Sequence, residues 1–235
     1  MNHPSASPPR RLLGLVLAGL LIASGCSDGN TDAPGNDRDS ELEANARAAS
    51  VNVNLTDLPE GYVAVPRSGE EAGDASIPGC VEGIPEDPVA EAASPTFVLQ
   101  TDASLIFLAS GTAVLSGPEE AQRAFDSLRA EPVVRCLSDF LDDAFAGLLP
   151  TAASDISLNL TFDPAFPSDL GSNSLRLTGD AMLAEEDGTP LPVSASLVFV
   201  QTGDMLTSLV FGGVRQPFPM ETAETLATTV AQRQS

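Results

Sequence analysis

The chain contains no lysine, a single histidine at position 3, and three cysteines in 235 residues. Each scarcity removes a class of chemistry. Without lysine there is no Schiff-base amine and no P-loop lysine to reach a phosphate. With no histidine beyond His3, the body of the chain has no Ser-His or Cys-His dyad and no imidazole to ligate a metal. Cations of every kind are few: Lys and Arg together number 11 against 33 acids, for a formal charge of −22. A surface this negative does not suit nucleic acid, whose phosphates require clustered Lys or Arg. It does not suit electrostatic docking on anionic lipid either. The acid excess reads as solubility in a salty exterior. Avoidance of lysine beside abundant Ala, Gly and Pro suggests a high-GC genome.

One stretch has a definite meaning. Arg10 and Arg11 form a basic start, and Leu12 to Ile22 follow without charge. That run is about eleven residues, short of the roughly 20 that a spanning helix needs. It has the length of a signal-peptide hydrophobic core. Ala23-Ser24-Gly25-Cys26 closes it with small residues and a cysteine. A cysteine directly after the glycine resembles the lipobox of bacterial lipoproteins, with Ala23 standing where that family most often has Leu. The resemblance implies cleavage before Cys26, so that residues 1–25 are a lipoprotein signal peptide. It also implies a diacylglyceryl group on the Cys26 sulfur, acyl chains such as palmitate, and anchoring in the lipid bilayer at the extracytoplasmic face of the cell membrane. Two chains are what stable anchoring generally needs. The alternative is plain export with Cys26 free. Export sets the compartment as oxidising. Arg10, Arg11 and His3 leave with the signal peptide, and no acid does.

Residues 27–50 are small and polar, with Leu42 the only sizeable apolar side chain. They offer too little surface to offset ordering entropy, so residues 26–50 are expected to be a lipidated cysteine followed by a flexible acidic stalk. Asp28, Asn30 and Asp32 are spaced like the opening of a calcium loop. Ala33 holds the loop's glycine position and Pro34 follows, so no metal site is expected there.

The folded part is expected over 51–235 as one domain. Val51, Val53 and Leu55 alternate as in a strand, and Tyr62 to Val65 follow a turn at Pro59-Glu60-Gly61. Residues 67–95 read as a long irregular excursion, which needs pinning or carries function. Thr96–Gln100 and Ser104–Leu115 read as strands, the second apolar enough to be buried on both faces. Ser116-Gly117-Pro118-Glu119 has the form of a capping box, and Ala121, Ala124, Phe125 and Leu128 give the helix behind it an apolar stripe. A second helix runs from about Val133 to Leu148. Ile156, Leu158, Leu160 and Phe162 alternate, as do Leu175, Leu177, Ala181 and Leu183. Strands over Val193–Val200 and Leu206–Phe211 are separated by turns, which makes an antiparallel meander. A last helix covers about Met220–Gln232. The expected class is α+β: an antiparallel sheet with a C-terminal meander, helices packed on one face, and one disulfide.

With Cys26 acylated, Cys80 and Cys136 are left with a single pairing. No His or Lys is present to activate either as a nucleophile, so a structural bond is expected, clipping the 67–95 excursion to the second helix. Carboxylates are the only abundant titratable groups. Glu185, Glu186 and Asp187 cluster at a turn, and Asp142 and Asp143 sit on a helix. A glycosidase would need two acids facing each other across a cleft; solvated turn and helix-face charge is the reading preferred here. Ile77, Val81, Ile84 and Val89 either cover the core or line a pocket, and cover is preferred. The excursion and the open face of the sheet are the candidate binding surfaces.

The order strand, capped helix, Arg135-Cys136-Leu137 opening a second helix, meander and C-terminal helix resembles a group of actinobacterial lipoproteins. These are similar to the extracytoplasmic sensor domain of some mycobacterial receptor Ser/Thr kinases. That domain has two disulfides and this chain can form one beyond its lipid cysteine, so no binding residue is carried over. Leu58-Pro59-Glu60-Gly61-Tyr62 also resembles Mog1/PsbP-like lipoproteins. Both resemblances imply α/β domains that bind or sense. The expected function is a non-catalytic, membrane-anchored binding or sensor-type module for a small apolar ligand or an envelope partner, with no cofactor. The alternatives are a carboxylate-dependent envelope hydrolase and a contact-only accessory protein in envelope assembly.

Overall fold

The computed structural model describes residues 35–66, 80, 88–148, 157–184 and 188–235. Cys26, the segment before it, the Asp28–Asp32 acids, Ile77, Val81, Ile84 and the Glu185–Asp187 cluster lie outside the described residues. The described residues form an eight-stranded antiparallel sheet and four helices. Its centre is β4 (Leu105–Val114), nine of whose ten residues are buried. One side of β4 pairs with β8 (Met205–Val214), and beyond it lie β7 (Pro190–Thr202), β6 (Asn173–Ala184) and the two-residue β5 (Thr161–Phe162). These last strands are the expected meander.

The other side of β4 is shared end to end by β2 (Ala90–Ala93) and β3 (Thr96–Gln100), with β1 (Val63–Val65) outside β3. The break between β2 and β3 falls at Ser94-Pro95, where proline has no N–H to give the ladder. Ser94 bridges it: its N–H donates to the Ser110 carbonyl at 2.9 Å, and its hydroxyl accepts from the Ser110 N–H at 2.8 Å. The expected irregular excursion therefore ends in a strand.

The α+β class, the antiparallel sheet and the disulfide are as expected. The helices are divided between the two faces, where one helical face was expected. α2 (Pro118–Ser127) and α3 (Glu131–Leu148) cover one face with Phe125, Leu137 and Leu141, against Leu177, Leu197 and Phe199 of the sheet. α1 (Gly35–Val51) and α4 (Met220–Arg233) cover the other, with Val51, Leu226 and Val230 against Leu108, Val198 and Leu209. The reason lies in β4 and β8, whose side chains are apolar in both directions. A strand buried on both faces needs cover on both.

Helix α1 corrects the expected stalk. Ala44, Ala48 and Val51 recur at helical spacing and pack on the sheet; Ala48 and Val51 are fully buried. Arg47 pairs with Asp204 in the β7–β8 turn. The folded unit starts at Gly35, ahead of the expected boundary at residue 51. Val51 closes this helix and Leu55–Asp57 is a 3-10 turn capped by Asn54, so the alternation at 51–55 is not a strand.

The box before α2 is shifted by one residue. Gly117 is the cap, and Glu120 accepts from both the backbone N–H (3.0 Å) and the hydroxyl of Ser116. Those bonds hold the Glu120 carboxyl below its ordinary value.

Gly212 shows how tightly the α2/α3 face is filled. A Cβ there would meet the Phe107 ring at 2.1 Å, and that ring sits edge-on to Phe145 with centroids 5.2 Å apart. Gly212→Ala is expected to lower stability by about 1–3 kcal/mol through overpacking, read from the urea midpoint. An unchanged midpoint would contradict this packing.

Candidate functional site

Cys80 and Cys136 form the expected disulfide, their Cα atoms 5.4 Å apart, with Cys136 one turn into α3. Val89, from the same excursion, is 51% exposed and covers no core.

The segment before β5 is placed by α3. Asp142 accepts the Leu158 N–H at 2.8 Å, and Ser138, one turn earlier, takes the Leu160 N–H at 3.4 Å. Two alternate amides of an extended chain thus meet two side chains spaced i, i+4 on a helix. Leu158 and Leu160 still point into the core, but only Thr161–Phe162 joins the sheet. Of the four residues read as alternating, Leu158 and Leu160 are buried and their amides meet helix side chains in place of a strand partner, Phe162 is 42% exposed, and Ile156 lies outside the described residues. Asp142 is thereby a backbone acceptor. The shallow polar cavity beside it, about 220 Å³, also holds Arg135 and Glu131, paired at 2.7 Å.

The better site lies on the α1/α4 side, at the end of the sheet where β6, β7 and β8 run beyond the helices. The chain leaving β8 turns back on the sheet. A Cβ on Gly213 would lie 2.1 Å from the Gln216 carbonyl oxygen, so the absence of a side chain there permits the turn. Arg215 donates its N–H to the Pro192 carbonyl at 2.7 Å. Its φ is +68°, the one positive value at a non-glycine among the described residues. The left-handed region costs a side-chain-bearing residue about 1–2 kcal/mol. Phe218 then returns to the core against Phe211, with centroids 4.6 Å apart, and Pro219 caps α4.

The start of α4 is held from below by Arg176 of β6. Its guanidinium, 5% exposed, pairs with Asp163, contacts the Met220 sulfur, approaches Glu224 at 3.9 Å and lies 5.0 Å from the Phe166 ring centre. The Arg176 hydrogen bond, with help from the Ala165 amide, holds the Asp163 carboxyl below its ordinary value.

Between the 215–217 turn and the β6–β7 hairpin is a cavity of about 450 Å³. Ala181, Met182, Pro192, Val193 and Pro217 supply its apolar lining. Asp180, Ser194, Arg215 and Gln216 supply the polar groups. The volume falls within the range of small-molecule sites, and a mostly apolar lining with few polar groups is their usual make-up. The open sheet face expected from sequence is thus largely covered by α1 and α4, and the cavity occupies what they leave. Sequence reasoning missed Met182, Ser194 and Arg215. Met182 and Ser194 were visible as the outward members of alternating strands. Arg215 gave no signal, because a left-handed turn at an arginine has no sequence mark.

No protein-family model and no curated protein matches the chain. Among solved structures it is similar to the extracellular domain of PknH from Mycobacterium tuberculosis. That match has a TM-score of 0.36 and 7% identity, over 81% of this chain and 96% of the other. A second is LpqN of Mycobacterium tuberculosis, described as involved in cell envelope biogenesis, with a TM-score of 0.26 and 12% identity over 74% of this chain and 78% of the other. At these scores neither likeness bears on function. Among the described residues, no helix is long and apolar enough to cross a membrane.

Proposed function

We propose that this chain is an extracytoplasmic module, anchored in the lipid bilayer by an acylated Cys26, that binds a small apolar ligand in the β6–β7–β8 cavity without transforming it. The cavity is the observation that carries the reading: about 450 Å³, lined mainly by Ala181, Met182, Pro192, Val193 and Pro217. The lack of lysine, and of histidine beyond position 3, supports binding over catalysis, since the usual bases and nucleophile activators are missing. The engagement of Asp142 with the Leu158 amide weighs against a hydrolase built on that helix.

Two measurements test this. Protein purified from its own membranes is expected to carry a small-molecule adduct in native mass spectrometry. Ser194→Phe, on the strand face that carries Pro192 and Met182, puts a ring into the cavity and is expected to lose that adduct while remaining folded. Retention of the adduct by a folded Ser194→Phe variant would place the ligand elsewhere. Cys26→Ser is expected to move the protein from the membrane fraction to the medium, and continued membrane association would overturn the anchor.

A further inference from the structure

We infer that Asp180 and Ser194 read the hydroxyl of an uncharged, alcohol-headed amphiphile whose hydrocarbon part fills the cavity. This rests on the proposed binding role and names the ligand class for it. Asp180 and Ser194 are direct partners across β6 and β7, and Met182 and Pro192 are the next such pair on the same face. Side chains paired in this way have Cβ atoms about 4.5–5.5 Å apart, so one small group can meet both. All four line the cavity, and Pro217 adds a further apolar wall. A polar pair therefore lies beside an apolar one. Met182 is 67% exposed, and a hydrocarbon chain laid over it and Pro192 would take that surface out of water.

Among the described residues, neither the Asp180 carboxylate nor the Ser194 hydroxyl has an ion pair or a hydrogen bond. Further along the same face of β6, Ser174 donates to the Pro167 carbonyl and Arg176 pairs with Asp163. The polar groups of this face are thus satisfied within the protein until the cavity is reached. Arg215, in the same lining, is already engaged within the protein. An ionised carboxylate only accepts, so the ligand atom facing Asp180 must carry a hydrogen. A serine hydroxyl both donates and accepts. An alcohol meets both demands: it donates to Asp180 and accepts from Ser194. An acid head would face Asp180 as a like charge. An ammonium head would face Arg215 as a like charge, and it loses far more hydration than an alcohol in a mostly apolar cavity.

The test uses the mature full chain and four probes of one chain length, each below its solubility limit: decanol, methyl decanoate, decanoate and decylamine. Isothermal titration at pH 7 is expected to show decanol binding at least about tenfold tighter than each of the others, the usual worth of a hydrogen bond to a charged group. Methyl decanoate is the sharpest comparison, because it is uncharged and has no hydrogen to donate. Asp180→Ala is expected to bind alcohol and ester alike, with circular dichroism unchanged. Asp180→Asn keeps an acceptor and is expected to keep part of the preference. Ser194→Ala is expected to weaken decanol and leave the ester unchanged. If none of the four probes binds, the cavity reading itself fails. If decanoate or decylamine binds tightest, or if alcohol and ester bind alike to the wild type, the cavity stands and the hydroxyl reading is overturned. A full preference for decanol in a folded Asp180→Ala variant would overturn the role of Asp180.

Discussion

Asp163→Ala is expected to destabilise the protein by about 3–5 kcal/mol, the usual effect of leaving a buried charge without its partner. Arg176 is 5% exposed and Asp163 17%. Once Asp163 is gone, the remaining acid is Glu224 at 3.9 Å, itself 47% exposed and half in water. The Nε of Arg176 already has no hydrogen-bond partner among the described residues, so the guanidinium has little to fall back on. Replacing both partners, Asp163→Ala with Arg176→Met, is expected to recover most of the loss, because an apolar pair needs no compensation. Urea unfolding of the two single variants and the double variant measures the coupling. A double variant as unstable as Asp163→Ala alone would show that packing, and not charge, is at stake.

The same pair sets a pH dependence. The Asp163 carboxyl lies below its ordinary value of 3.8 because of its bond to Arg176. Burial pulls Asp57 upward, but the bidentate Arg233 guanidinium at 2.6 and 2.9 Å and the Asn54 amide outweigh it, so Asp57 is lowered too. A carboxyl depressed in the folded state contributes stability that is present above its unfolded value and is lost as pH falls through its folded value. Stability is therefore expected to decline below about pH 4, with the Asp163→Ala variant showing a shallower decline. A decline beginning near pH 6 would mean that other groups control the acid limb.

Loss of the Cys80–Cys136 bond is the second large effect. The cysteines are 56 residues apart in sequence. In the chain-entropy account, closing a loop of that length stabilises by about 4 kcal/mol. Cys80→Ala with Cys136→Ala is expected to lose that amount in urea unfolding while keeping the sheet's circular dichroism. The protein as secreted is expected to show no free thiol when denatured. Two thiols per chain would remove the bond, and a stability loss under about 1 kcal/mol would show that the unfolded chain is already constrained there. The bond ties residue 80 to the first turns of α3, whose later turns hold Leu158 and Leu160. The double variant therefore also tests whether the two ends of α3 unfold together.

Much of the fold was legible in local signals. The apolar stripes Ala121-Ala124-Phe125-Leu128 and Ala223-Leu226-Ala227-Val230 specify α2 and α4, and alternation with intervening turns specifies β6 to β8. Helical period and strand period are set by the backbone, so they survive whatever packs against them. Two remaining cysteines admit one bond, and that inference needs only counting. The absence of lysine, and of histidine beyond position 3, was likewise complete in the sequence.

Tertiary structure alone decided the rest, each time because the deciding partner is distant in the chain. Helix α1 looked too polar to fold, since its buried stripe is alanine and one valine. Such a stripe is stable only because the small residues of β2, some 45 residues on, let the helix come close. The strand signal before β5 was read correctly for the burial of Leu158 and Leu160 and wrongly for Phe162, which is exposed, and for partner, because Ser138 and Asp142 satisfy the Leu160 and Leu158 amides from a helix. The cavity at β6, β7 and β8 lies where α1 and α4 stop short of the sheet's end. How far a helix reaches across a sheet depends on the summed geometry of both, which no window of residues contains.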